Sequence, residues 1–158
     1  MSLTESHPVL RMQAWRELRA APAVVFDALV DPEKHMEWLA PPGSWGAVES
    51  TVDLRVGGVW ESRFSPTPST RVHDVQTYVA IEPHHRLITD LVSEATVDGK
   101  PAPALRSRIE ITLAPTVWGT YMSVEQTGFP SAEMRDFFET EVWQRGFDRL
   151  EAFLARRG

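Results

Sequence analysis

Few side chains in this sequence are placed to do chemistry, and most of those are amides or carboxylates rather than nucleophiles. Gln126 ends an alternating run in which Met122 and Val124 share its parity, so its amide points toward an otherwise apolar interior. A buried amide must be hydrogen-bonded, to protein, to water or to a ligand. Asp136 and Glu139 fall on the same side of a helical phasing as Trp143. An apolar wall beside a carboxylate raises its pKa and suits it to general acid or base work; the alternative is a solvated mouth or a structural ion pair. Tyr78 offers a phenolic hydroxyl, although its parity is opposite to that of Val79 and Ile81.

Other chemistries lack their residues. His84 and His85 are adjacent in a turn, where side chains diverge, and His73 and Asp74 are strand neighbours that face opposite sides. With no His-x-His or HExxH spacing and no cysteine, no metal site is expected. Gly43-Ser44-Trp45-Gly46 lacks the G-x-S-x-G spacing of a nucleophile elbow. Gly57-Gly58 reads as a hairpin turn, since no helix follows it to cradle a phosphate. No cofactor is expected. The net charge of -6 is spread along the chain and argues against a nucleic-acid surface. No apolar run reaches the roughly 20 residues of a membrane span, and Met1-Ser2-Leu3-Thr4-Glu5 does not read as a signal peptide. The expectation is a soluble cytoplasmic protein. The absence of cysteine excludes disulfides without deciding the compartment.

The elements that must position these residues follow from periodicity. Residues 10–19 read as a strand with Met12, Ala14 and Leu18 on one face and Trp15 on the other. Pro22 opens a short helix through Leu29; Asp31 caps a second, with Pro32 at its first position and Glu33 at the positive end of its dipole. That helix carries His35, Met36, Trp38 and Leu39 and stops at Pro41-Pro42-Gly43. Val48, Val52, Leu54 and Val56 share parity, Gly57-Gly58 turns the chain, and Trp60, Ser62 and Phe64 return. Pro66 and Pro68 mark a loop. Val75, Thr77, Val79 and Ile81 form the next strand, and Leu87 to Val92 the one after. Asp98-Gly99-Lys100-Pro101 makes a loop; Leu105, Ser107, Ile109, Ile111 and Leu113 alternate with outward Arg106, Arg108 and Glu110. Met122, Val124 and Gln126 are the last strand, ended by Thr127-Gly128-Phe129-Pro130 before Ser131 caps a long helix. At 158 residues this is one domain, with residues 1–9 a lead-in and 10–158 folded. The class is α+β: a strand, two short helices, a meander of six antiparallel strands and a long helix over their apolar face.

Phasing the long helix puts Trp143, Phe147, Leu150 and Leu154 in one stripe flanked by Val142 and Phe153. Phe137 and Phe138 fall on the far side. Either the helix slips between Phe138 and Val142, as a π-bulge allows, or two phenylalanines face outward as an interface; the slip is the preferred reading. If the stripe roofs a cavity, the sheet contributes Trp60, Phe64, Tyr78, Val79, Leu91, Ile111, Met122 and Gln126. The helices contribute Trp38, Glu139, Trp143 and Phe147.

Several segments, in this order, resemble a known family. They are Ala21-Pro22, Phe26-Asp27-Ala28-Leu29, Asp31-Pro32-Glu33, Trp38 and Pro41-Pro42-Gly43; then Asp53 through Trp60; then Ile81-Glu82-Pro83 with Arg86-Leu87; then Thr127-Gly128-Phe129-Pro130, Trp143 and Leu150. Together they resemble the bacterial homologues of the activator of heat-shock-protein-90 ATPase, within the START-like (SRPBCC) superfamily. The resemblance implies a helix-grip fold, a curved antiparallel sheet wrapped around a long C-terminal helix. Superfamily members bind lipids, steroids, polyketides and plant hormones, or catalyse cyclisations. Gln126 stands where many family members carry a histidine, and Asp90 in a stretch where many carry an aromatic residue. The leading expectation is a non-catalytic binder of a small hydrophobic molecule between sheet and helix. One alternative is an interaction protein of the chaperone-activator type. Another is a cofactor-independent cyclase or hydrolase working through Gln126, Glu139 or Asp136. Neither nucleic acid nor a membrane is an expected partner; a chaperone and a second copy of the chain remain open.

Overall fold

The alternating segments pair into one antiparallel sheet of eight strands. The computed structural model describes residues 10–40 and 48–157. The lead-in, the Pro41-Pro42-Gly43 stop and the Gly43-Ser44-Trp45-Gly46 stretch lie outside the described residues. In chain order the elements are β1 (Arg11–Leu18), α1 (Pro22–Val30), α2 (Pro32–Trp38), β2 (Glu49–Val52), β3 (Val59–Thr67) and β4 (Thr70–Glu82). There follow β5 (Arg86–Val97), β6 (Lys100–Pro101), β7 (Leu105–Pro115), β8 (Thr120–Thr127), α3 (Ala132–Phe137) and α4 (Trp143–Arg157). The strands lie in the order β1-β8-β7-β5-β4-β3-β2, with β6 on β5. Since α1 and α2 connect β1 to β2, those two strands end up at opposite edges. This is the helix-grip arrangement, and no helix among the described residues is long and apolar enough to cross a membrane.

The helix-facing side of the sheet follows from burial. Met12, Ala14 and Leu18 of β1, Met122 and Val124 of β8, and Leu105, Ile109 and Leu113 of β7 are buried together with Phe147, Leu150, Phe153 and Leu154 of α4. Arg16 has the same parity as Met12 and clamps α4 from beneath. Its guanidinium reaches Asp148, Glu151 and Gln144 and lies over the Phe147 ring. On the opposite side, Trp15 stacks on Tyr121 in solvent, at 60% exposure.

Three expectations about the strands change. The β2 strand stops at Val52, and Leu54 and Val56 are exposed in a connection that runs from Asp53 to Gly58. Gly58 forces this: a Cβ there would sit 2.1 Å from the Asp53 carbonyl oxygen, so the chain can double back only on a glycine. The loop expected at Pro66 is strand, and among the described residues β2 pairs no further than Arg63, so Pro66 faces no β2 partner there. The stretch after Asp98 is a tight turn with Asp98 and Gly99 both at positive φ. It adds the two-residue β6, making seven strands after the helices where six were expected.

The largest change of parity is in β4. Tyr78 pairs with Thr89 and Ala80 with Ile88, leaving Val79 as an extra residue in a bulge. Before the bulge Gln76 and Tyr78 face the helices; after it Ile81 does, opposite Leu87. Strict alternation through Val75, Thr77, Val79 and Ile81 therefore put the wrong residues inside.

The C-terminal helix slips where its phasing required. Ser131 caps α3, its hydroxyl accepting from the Met134 amide at 3.1 Å. Residues Phe138–Val142 form a single π turn, and the Trp143 amide donates to the Phe138 carbonyl five residues back. The extra residue turns the first half of the helix by about 100° relative to a regular one. Met134 and Phe138 thereby join the apolar stripe of Trp143 and Phe147, and Phe138 packs against Phe129 at 5.1 Å. Phe137 is left 52% exposed. Thr140 donates its hydroxyl to the Asp136 carbonyl inside the widened turn. Amide hydrogen exchange should show a weak spot centred on Thr140 between two better protected helices; uniform protection from Phe137 to Trp143 would contradict a π turn.

His35 pins α2 to the sheet. It is fully buried, its Nε2–H donates to the Leu29 carbonyl at 2.7 Å, and Nδ1 accepts from the Ser50 hydroxyl at 2.9 Å. Ser50 in turn accepts from Trp60 Nε1, and the imidazole stacks on the Trp60 ring. Burial lowers the His35 pKa to about 4, against the opposing Leu29 bond and the Asp31 charge. Because the folded pKa lies below the unfolded one, the unfolded chain takes up the proton first. Stability is complete above about pH 6.5 and falls as pH drops toward 4, by about 3 kcal/mol from this group. Urea unfolding at stepped pH should show that loss, and His35→Gln should flatten the slope in this window.

Candidate functional site

Cross-strand register arranges the helix-facing side of the sheet into rows. Tyr78, Thr89, Ile109 and Gln126 form one row across β4, β5, β7 and β8. Trp60, Gln76, Leu91 and Ser107 form the next. Ser62, Asp74, Ser93 and Leu105 form a third. Beyond it lie Phe64, Val72 and Ala95. The middle of this interior is more polar than simple core packing requires. Among the described residues, Tyr78, Gln76, Thr89, Ser62, Ser107 and Gln126 are all buried there.

Most of these polar groups satisfy one another. Gln126 is fully engaged: its Oε1 accepts from Trp143 Nε1 at 2.8 Å, and its Nε2 donates to the Ser107 hydroxyl at 2.9 Å. Ser107 passes the chain on to the Thr127 carbonyl at 2.7 Å. The amide therefore couples sheet to helix instead of waiting for a reactant. Thr89 donates to Gln76 Oε1 at 2.7 Å. Burial raises the pKa of the Asp74 carboxyl, and a bond from Ser93 and the charge of the neighbouring His73 partly lower it.

Two buried atoms stand apart. The Tyr78 hydroxyl and Asp74 Oδ1 are buried without a hydrogen-bond partner among the described residues. Tyr78 is 2% exposed, and burial pushes its pKa up to about 12, so the hydroxyl is a neutral donor and acceptor throughout the physiological range. Such orphans are rare, and each calls for a water, an ion or a ligand. Tyr78, Asp74 and Gln76 sit at alternate positions of one strand and so share the inward side, and the β4 bulge lets Ile81 face inward as well.

The expected lining divides on this frame. Trp60, Tyr78, Leu91 and Gln126 are brought together in adjacent rows, with Trp143 and Phe147 facing them from the helix. Met122 is deep in the core nearer β1, and Ile111 packs beside it. Trp38 is buried at the α1–α2 corner, its Nε1 donating to the Ala28 carbonyl, while Arg149 of α4 caps the Trp38 and Leu39 carbonyls. Phe64 lies beyond the core, on a concavity of about 640 Å³ at the ends of β3, β4 and β5. Val79 is the bulge residue, half-buried and without a ladder partner.

Glu139 and Asp136 do not lie under Trp143. The π turn that carries Phe138 inward rotates both away. Glu139 instead accepts from the Gln13 amide on the free edge of β1 at 3.3 Å, and Asp136 is exposed beside Arg135. Asp90 also faces away, held by a two-pronged contact from Arg108. Of the three groups expected to serve a cyclase or hydrolase, the two carboxylates are outside the cleft and the Gln126 amide is bonded to Trp143 and Ser107. Asp74 was placed from sequence only on the side opposite His73 and given no role; the inward parity of Trp60, Ser62 and Phe64 on the partner strand was the signal that could have found it.

Removing an orphan hydroxyl takes away a desolvation cost and no hydrogen bond. Tyr78→Phe should therefore unfold at equal or higher urea concentration, with stability unchanged or raised by about 1 kcal/mol. Gln126→Leu should lose about 1–3 kcal/mol, because it strands Trp143 Nε1 in the interior. A marked loss for Tyr78→Phe would show a partner for that hydroxyl.

The fold recurs in solved structures. A putative uncharacterized protein from Rhizobium leguminosarum aligns with a TM-score of 0.73 and 25% identity, over 94% of this chain and 95% of that one. A protein of Chromobacterium violaceum aligns at 0.66 and 26% identity, over 90% and 95%. A protein of Nitrosomonas europaea shares the fold at 0.72 and 21% identity, over 94% and 96%. No curated protein matches the chain. The resemblance read from the ordered motifs is borne out by a family model matching residues 19–155, and the chain belongs to the family of Activator of Hsp90 ATPase homolog 1-like proteins.

Proposed function

We propose that this protein binds a small, largely apolar molecule in the interior between the sheet and the C-terminal helix, without catalysing a reaction on it. The observation that carries the reading is the buried, unpartnered Tyr78 hydroxyl on the helix-facing side of β4. A core needs no phenol there; phenylalanine would fill the same space without an unpaired oxygen. Trp60 and Leu91 lie in the neighbouring row, and Trp143 and Phe147 of the helix belong to the same core, the apolar and aromatic make-up usual for small-molecule sites. A concavity of about 640 Å³ adjoins this interior at the strand ends, past Phe64, Val72 and Ala95, with Arg63, Arg71 and His73 also in its lining. The non-catalytic part of the reading is supported by the placement of the two expected carboxylates and the Gln126 amide, none of which is free in the cleft.

Native mass spectrometry of gently purified protein, followed by denaturing extraction, should release an apolar compound of small-molecule size. Returning that compound at about a hundredfold excess over its Kd should stabilise the fold by about 2.7 kcal/mol, read as a rise in Tm. Tyr78→Phe should bind it about tenfold more weakly while folding normally. A chain that carries nothing, and whose Tm no apolar extract raises, would overturn the proposal.

A further inference from the structure

The second orphan atom has a different chemistry from the first. Asp74 faces the helices in a row with Ser62 and Ser93, and its same-side neighbours Gln76 and Tyr78 are buried. Ser93 donates to the carboxylate, yet Oδ1 is buried and meets no donor among the described residues. No basic side chain is within ion-pair distance of Asp74 among the described residues. Alternation carries Arg71 and His73 of β4, and Arg106 and Arg108 of β7, to the other side of the sheet. There His73 is held by Glu61 and Arg108 by Asp90. One row further along, Phe64, Val72 and Ala95 line the concavity at the strand ends. The interior thus holds one acceptor oxygen without a donor, one row from a concavity whose lining joins Phe64, Val72 and Ala95 to Arg63, Arg71 and His73.

We propose that Asp74 sets the specificity of this site by accepting a hydrogen bond from a hydroxyl or amine on an otherwise apolar ligand, and by rejecting ligands that end in an anion. The inference rests on the small-molecule reading above and names the ligand class. A donor satisfies Oδ1 and recovers the cost of burying it; a carboxylate or phosphate set against Oδ1 brings two negative charges together where no basic side chain among the described residues pairs with Asp74. A site built to bond a polar group discriminates against analogues lacking it far more sharply than an apolar wall discriminates by size. Tyr78, four residues along the same face, lies about 13 Å away by strand rise and is free to contact a different part of the ligand.

The test uses three probes of one chain length, decanol, decylamine and decanoate, kept below aggregation and titrated calorimetrically into the full-length protein. Decanol or decylamine should bind about tenfold or more tighter than decanoate. Asp74→Asn keeps an acceptor for the hydroxyl and removes the charge, so it should close the gap to about threefold or less. A preference for the amine over the alcohol would identify an ionised carboxylate, and equal binding of the two a hydroxyl-type contact; both support the assignment. Equal or tighter binding of decanoate by the unsubstituted protein overturns it, as does a selectivity that Asp74→Asn leaves unchanged. Binding of none of the three overturns the small-molecule reading itself, whereas binding of all three alike overturns only the role of Asp74. The selectivity of the unsubstituted protein decides the matter even if the variant does not fold.

Discussion

A single helix has to cover one side of a broad sheet, and it is too narrow to do so alone. Strands spaced about 4.8 Å apart make the path from β1 to β2 roughly 30 Å wide, and strands as long as β4 and β5 run about 40 Å. A helix is only about 10 Å across. The segment from Ser131 onward therefore covers β1 and β8 and the adjoining part of β7, where Met12, Leu18, Met122, Val124 and Leu113 are sealed. The paired helices α1 and α2 cover a second part, through Trp38, Val25 and Phe26. The helix-facing side of β3, β4 and β5 extends beyond both toward Phe64, Val72 and Ala95, which lie outside the buried core. Any specific behaviour of the interior has to arise in that remainder.

Polar bonds decide where the two covers are fastened. Trp143 reaches Gln126, and Gln126 reaches Ser107, so one hydrogen-bonded chain runs from the helix across two strands. His35 does the same between α2 and β2, with Ser50 receiving from Trp60 while donating to the imidazole. Arg149 joins the two covers to each other by capping the last carbonyls of α2 from α4. Each of these is buried or half-buried and fully paired, which is the condition under which polar groups in an interior specify geometry instead of costing stability. Tyr78 and Asp74 lie between the two fastenings and break that pattern. Their position, on the strand that neither cover fastens, is the reason a bound molecule is a more economical account of them than defective packing.

Much of the architecture was legible because local signals agreed. The Asp31-Pro32-Glu33 restart, the Ser131 cap and the alternation of Leu105 through Leu113 each specify an element and its inward face. The π turn was legible for a less usual reason: the apolar stripe of Trp143 and Phe147 and the pair Phe137-Phe138 cannot both face inward on a regular helix. The consequence of that slip for Asp136 and Glu139 was harder to see, since whatever turns Phe138 in must turn its neighbours out. The bulge at Val79 left no comparable mark. Valine and alanine fit either parity, and only the pairing of Tyr78 with Thr89 and of Ala80 with Ile88 shows that the count changes between them.

Taken alone, the sequence determined the class of fold, the order of elements, the slip in the last helix and the family, since all of these depend on spacing along the chain. It also determined that no thiol chemistry is available, because that is a matter of inventory. Which polar groups are partnered was decided by tertiary structure. Gln126 was recognisable as an inward amide, but its partners come from Trp143 and Ser107, 17 and 19 residues away. Asp74 was known from sequence only to face away from His73; β3 and β5 are what place Ser62 and Ser93 on either side of it. A hydrogen bond requires two groups within about 3 Å, and for residues on different strands that proximity is set by register and bulges. Periodicity carries neither, so the candidate site emerged only when the strands were laid side by side.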